Sequence, residues 1–300
     1  MLKIAYHPIY KHPLPDGHRF PMIKYELLPQ QLTHEGTCNQ ENFFTPDFPD
    51  DKHVLSVHDD VYFKHLKDLT LKPREIRKTG FPLSKELVDR EVIIADGTIK
   101  GCEYALTYGI AMNIAGGTHH AYTSHGEAFC LLNDQAIGAR YLQHNQLAKK
   151  ILMIDLDVHQ GNGTAEIFQK DDSVFTFSMH GKNNYPFKKE KSDLDIELHD
   201  DMNDKEYLTI LDNVLPKLID KEKPDFIFYL CGVDILKTDK LGKLGLTIEG
   251  CKKRDDYVLS LLHNLSIPVQ CSMGGGYSPD IKSIVEAHAN TYRLAQEIYF

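Results

Sequence analysis

Five short apolar runs constrain this chain more than any other feature. They are Ile110–Ile114, Lys150–Asp157, Val174–Ser178, Phe226–Cys231 and Ile267–Cys271, each of strand length. Between them lie segments with helical periodicity. Val92, Ala95, Ile99, Cys102, Ala105 and Leu106 recur at helical spacing until Gly109 ends the pattern. Further helices are predicted over Asn133–Gln143, over Tyr207–Ile219 with a kink at Pro216, and over 248–265 with Thr247 as cap. Pro279 is expected at the first position of a last helix. Strands that are apolar on both sides cannot face water on either. The pattern therefore predicts an α/β fold, a mainly parallel β-sheet with helices on both faces. In such sheets, sites form beyond the carboxyl ends of the strands. The polar clusters of this chain fall at those ends: His119 and His120, Asp155 to His159, Asp234, and Tyr277.

The remaining sequence bounds the answer more loosely. The 300 residues are read as a single domain, 1–300. Residues 29–82, with five prolines, read as loops and short helices covering one face. A formal net charge of −9 argues against a nucleic-acid partner, because phosphate binding needs a basic surface. The six cysteines are scattered, with no C-x-x-C pair, and Cys102, Cys130, Cys231 and Cys271 sit in apolar surroundings. They read as reduced, buried thiols. With no signal-peptide pattern at the start and no membrane-length apolar run, a cytoplasmic location and no membrane partner are expected.

Three motifs carry chemistry. In Asp155-Leu-Asp157-Val-His159-Gln-Gly-Asn162-Gly, residues two apart on an extended chain point the same way. Asp157 and His159 can thus reach one metal, with Asp155 on their side and Asp234 from another strand end as third ligand. The plainer reading is that they are polar residues ending a strand. In Gly116-Gly117-Thr118-His119-His120, the histidines could be ligands, general bases or surface residues. In Gly274-Gly275-Gly276-Tyr277, a tight turn can lean the tyrosine into a cleft, where its hydroxyl could meet a developing oxyanion; packing over a loop is the alternative.

Taken together, His119-His120, Phe129-Cys130-x-x-Asn133-Asp134, Asp155-x-Asp157-x-His159, Asp234 and Gly275-Gly276-Tyr277 resemble the histone deacetylase family in order and approximate spacing. The details Gly17-His18-Arg19-Phe20-Pro21, His159-Gln160-Gly161-Asn162-Gly163 and Ser192-Asp193-Leu194-Asp195-Ile196 look like its class IV branch and bacterial relatives. The resemblance implies an arginase/deacetylase-like fold and zinc-dependent hydrolysis of the amide of acyl-lysine, acetyl or longer, in a protein or peptide. It implies Zn2+, or ferrous iron in the cell, on Asp157, His159 and Asp234. A structural potassium ion would use Asp155 and Ser178. His119 would be oriented by Asp155 and His120 by Asn162, where most class I members have Asp. An amide raises a histidine's pKa less than a carboxylate, so His120 is expected to be the neutral base and His119 the cationic partner. Phe129 would form one tunnel wall, with Ala128 (Gly in class I), Gly275, Tyr185 and Leu241 also on the substrate path. Arg19 is a candidate for the exit route of the acid product.

Three other readings are weighed. Leu241 falls near the rim position where polyamine deacetylases carry Glu, so an acylpolyamine or other small acylated amine is the less favoured substrate. The related arginase-type ureohydrolases need a second set of metal-bridging acids. Gly161 stands at one such position, and Ile235 and Leu236 follow Asp234. A catalytically weak acyl-lysine-binding module would not need the complete set of ligands, histidines and Tyr277.

Overall fold

A computed structural model describes all 300 residues. Its eight strands are β1 (Lys3–Ala5), β2 (Phe43–Phe44), β3 (Ile110–Asn113), β4 (Ile151–Asp155), β5 (Val174–Gly181), β6 (Leu194–Leu198), β7 (Phe226–Leu230) and β8 (Val269–Ser272). They form one sheet in the order β2-β1-β3-β8-β7-β4-β5-β6, and every pairing is parallel. The ten helices are α1 (Lys24–His34), α2 (Asp51–Leu55), α3 (Asp60–Lys67), α4 (Pro73–Thr79), α5 (Lys85–Tyr108), α6 (Asp134–His144), α7 (Asn162–Phe168), α8 (Asp204–Glu222), α9 (Ile248–Asn264) and α10 (Ile281–Tyr299). The long α5 packs on α6 and on β1, β3 and β8, while α10 packs on α1 and α9, and α9 on α8. All of β3, β4, β7 and β8 is buried, as strands covered on both faces must be.

The predicted elements occur with two differences at helix ends. Asp280, not a proline, starts the last helix: its carboxylate accepts from the N–H groups of Lys282 and Ser283, so Pro279 lies outside α10 rather than at its first position. α8 begins before Tyr207, where Asn203 and Glu206 cap it reciprocally, and Pro216 is accommodated inside the helix. The stretch 29–82 holds the end of α1, with Pro29 inside that helix, then β2 and α2 to α4. No helix is long and apolar enough to cross a membrane, and all six cysteines are free and buried.

The middle of the sheet is braced by a buried ion pair within α9. In α9, Cys251, Arg254, Asp255, Val258, Leu259 and Leu262 form one buried stripe. The two charged members of that stripe are fully buried. The Arg254 guanidinium donates to Asp255 (2.8 Å) and to the carbonyls of Leu156 (3.2 Å), Gly232 (2.7 Å) and Cys231 (3.2 Å). Asp255 also accepts from Tyr229 (2.5 Å) and Thr291 (2.6 Å). Arg254→Met should cost about 3–5 kcal/mol, because it leaves the Asp255 charge buried without its partner. Denaturant unfolding measures this; a loss below about 1 kcal/mol would show that the sheet does not rely on the pair.

Candidate active site

Four strands that are neighbours in the sheet, β3, β8, β7 and β4, deliver the polar clusters to one place. β4 ends at Asp155, and the chain leaving it carries Asp157 and His159; Asp234 follows β7. One donor atom from each of Asp157, His159 and Asp234 lies within 4.8 Å of the others, and all three residues are buried. His159 Nδ1 stands 3.0 Å from Asp157 Oδ1 and 3.1 Å from Asp234 Oδ2. The carboxylates are aimed by backbone donors: Gly275 N–H to Asp157 Oδ2 (2.9 Å) and Val158 N–H to Asp234 Oδ1 (3.0 Å). Glycine is required around them. A Cβ at Gly275 would collide with Asp234 Oδ2, and one at Gly232 with Asp157 Oδ2. Burial opposes a charge on His159, yet the two carboxylates raise its pKa to about 10, a field that would equally favour a metal cation. Two carboxylates and an imidazole are suitable donors for zinc or a similar divalent ion.

The loop after β3 brings in the histidine pair. Asp134, at the start of α6, holds this loop by accepting from the N–H groups of Gly117 (2.8 Å) and Thr118 (2.9 Å) and from the hydroxyls of Thr98 (2.7 Å) and Ser272 (3.0 Å). Asn133 caps α6 and donates to Ala121 O and Thr164 Oγ1. The two histidines then meet different partners. His119 Nδ1 lies 2.7 Å from Asp155 Oδ2, and His120 Nδ1 lies 2.6 Å from Asn162 Oδ1. Burial works against charge on His119, but Asp155 outweighs it and the pKa is raised. For His120, burial together with His119 and His159 drives the pKa well below its ordinary value. Asn162 is oriented in turn: its amide donates to the Tyr122 hydroxyl (3.0 Å), which donates to Glu190 (3.3 Å).

Two neighbouring spaces with shared walls flank these groups. An inner chamber of about 40 Å³ is lined by Gly117, His119, His120, Asp157, His159 and Gly275, among others. An outer mouth of about 460 Å³ is lined by Ala128, Phe129, Tyr185, Leu241 and Tyr277. Tyr277 borders both, and burial, then Asp157 and Asp234, hold its phenol protonated well above the usual range. Asp239 anchors its backbone, accepting from Tyr277 N–H at 2.6 Å. Ala128 and Phe129 are the central residues of a turn closed by Glu127 and Cys130, and both have left-handed φ (43° and 69°) without being glycine. Tyr185 stands edge-on to His120, ring centroids 5.0 Å apart, and its hydroxyl donates to Glu127 at 2.5 Å.

Gly275 lines the inner chamber, and its N–H supports Asp157. Arg19 lies in the outer mouth, its guanidinium 5.0 Å from the Phe129 ring. Asp155 and Ser178 are register partners across β4 and β5, but Ser178 Oγ is engaged with His180 Nδ1 at 2.9 Å. Tyr122, Glu127 and Asp239 carry no motif in the sequence, because they act through partners distant in the chain. Nor does the sequence mark Lys24, fully buried, whose ammonium donates to Gly274 O at 3.2 Å.

Fold and site together define a class: an all-parallel α/β protein with an Asp–His–Asp group able to hold a metal ion, beside two histidines, at the carboxyl ends of its central strands. The family model for the histone deacetylase domain matches residues 18–292. An uncharacterized protein of Picosynechococcus is 44% identical over 296 residues, 99% of either chain. Human histone deacetylase 1 is 27% identical over 288 residues, covering 87% of this chain and 58% of that protein. The crystal structure of an HDAC homolog complexed with SAHA superposes with a TM-score of 0.85 at 23% identity, over 99% of this chain and 84% of that one. The chain belongs to the histone deacetylase family of hydrolases.

The glycine cradle gives a direct test. Gly275→Ala should weaken binding of a divalent transition metal by about 10–100-fold, the usual cost of disturbing a ligand's support. Competition with a chromophoric chelator measures it, and an unchanged affinity would contradict the arrangement described.

Proposed function

We propose that residues 1–300 act as one catalytic domain that hydrolyses the amide of Nε-acyl-lysine in peptides or proteins. Zinc is the proposed ion, or ferrous iron in the cell, held by Asp157, His159 and Asp234. The observation that carries the reading is the asymmetry of the histidine pair beside those residues: one ring on a carboxylate, the other on an amide. The bound ion would supply Lewis acidity, making a water molecule more acidic and polarising the acyl carbonyl. A potassium ion held by Asp155 and Ser178 would take no part in the chemistry.

The chain's own groups account for the proton movements. With the Asn162 oxygen accepting, His120 carries its proton on Nδ1 and keeps Nε2 free as a base. His120 takes a proton from the attacking water and returns it to the departing lysine amine, a poor leaving group if unprotonated. His119, raised by Asp155, contributes positive charge, its Nε2 3.9 Å from Asp157. The Tyr277 hydroxyl donates to the oxyanion of the tetrahedral intermediate. Phe129, Ala128, Tyr185 and Leu241 flank the lysine chain in the outer mouth. The inner chamber, about 40 Å³, has room for only a few water-sized groups, which favours acetyl over long acyl chains.

Metal-loaded protein should therefore deacetylate lysine peptides, and act more slowly on long-chain acyl-lysine. A chelator should abolish turnover, and Tyr277→Phe should lower kcat by about 10²–10³, the cost of one lost oxyanion donor. No turnover of any acyl-lysine with metal bound would overturn the reading. Asn162→Asp puts a carboxylate on His120 and should raise its pKa. The base then stays protonated to higher pH, so the acidic limb of kcat/KM should move up by about one pH unit. An unmoved limb would remove His120 from the role of base.

A further inference from the structure

The mouth of the site carries a charge opposite to that of the protein. The whole chain has nine more acidic than basic side chains by formal charge. Of the 14 residues lining the outer mouth, four are cationic (Arg19, Lys78, Lys240 and Lys243) and none is Asp or Glu. Lys78 is paired, 2.7 Å from Glu127. Arg19, Lys240 and Lys243 are exposed and have no carboxylate within 4.0 Å, the distance that defines an ion pair. The two acids nearest in sequence are committed inward. Glu127 also accepts from Tyr185, and Asp239 accepts from the N–H groups of Leu241 (2.8 Å), Gly242 (2.8 Å) and Tyr277 (2.6 Å). The same opening presents Phe187, 92% exposed, an apolar surface beside the cations.

From this we infer that the enzyme selects acyl-lysine residues flanked by acidic side chains in a peptide or protein. The inference rests on the acyl-lysine reading and names its substrate class. Uncompensated cations around a concave opening concentrate anionic ligands and repel cationic ones, an effect that salt weakens. Acyl-polyamines and lysine- or arginine-rich peptides would bring positive charge to this rim. A chain with acids on both sides of the acylated residue fits better than a single small anion. The unpaired cations come from two separate segments, the loop before α1 and the loop after β7.

The test uses acetyl-lysine peptides identical except for flanking Asp/Glu or Lys/Arg. With the metal-loaded protein, kcat/KM should favour the acidic set by about tenfold at low salt, and the gap should close at high salt. Lys240→Glu/Lys243→Glu should erase or reverse the preference. Lys149→Glu/Lys217→Glu makes the same change in net charge away from the mouth, Lys149 lying at the amino end of β4, and should retain it. Anisotropy binding of the same peptides to Tyr277→Phe gives a readout without turnover. If no peptide is hydrolysed, the acyl-lysine reading fails, while tighter binding of the acidic set would still support the rim's selectivity. Equal treatment of both sets, or preference for the basic one, overturns the inference. So would free Nε-acetyl-lysine outcompeting every acidic peptide.

Discussion

The buried pair of Arg254 and Asp255 is the interaction on which the site depends. Its guanidinium satisfies the carbonyls of Leu156, Cys231 and Gly232, where β4 and β7 come to an end. Those carbonyls have passed beyond regular sheet pairing and would otherwise be buried without a full set of partners. Asp157 and Asp234 are the next or next-but-one residues along the two chains. A single side chain from α9 therefore ties together the two strand ends that carry these carboxylates. Desolvating the ions opposes the gain from their attraction, so the pair is better understood as setting geometry than as adding net stability.

A second constraint of the same kind works through Asp134. This carboxylate gathers the Gly117–Thr118 backbone, Thr98 of α5 and Ser272 of β8. The histidine loop is thereby tied to a helix on one side and a strand on the other. The contrast between His119 and His120 then follows from neighbours alone. Adjacent rings, both buried, differ because one faces an acid at the end of β4 and the other an amide at the start of α7.

Much of this was legible in the sequence because a central parallel strand has to be apolar on both sides, so β3, β4, β5, β7 and β8 stood out. The polar residues at their ends converge for the same reason. The edges were not legible. β1 and β2 are only three and two residues long. In β6, Leu194, Ile196 and Leu198 alternate with Asp195 and Glu197, a short half-exposed pattern that does not stand out as a strand. Arg254 and Asp255 did leave a signal, two charges on the apolar stripe of a helix. The chain Asn162–Tyr122–Glu190 left none, since its members are far apart in sequence and meet only once the sheet has formed. Pro279 misled because proline at a helix start and proline just before a capping Asp look alike without the backbone in view.

The sheet order has a consequence for the making of the protein. β8, the last strand along the chain, lies between β3 and β7. As the chain leaves the ribosome, β3 and β7 can each find one neighbour but wait for the other. Until Val269–Ser272 slots in, the growing protein has two open strand edges in its middle, and neither Gly275 nor Tyr277 has joined the site. Non-local parallel pairing of this kind is slow to form and leaves apolar edges exposed meanwhile. The nascent chain thus has no assembled centre until residues 269–277 have emerged and joined the sheet.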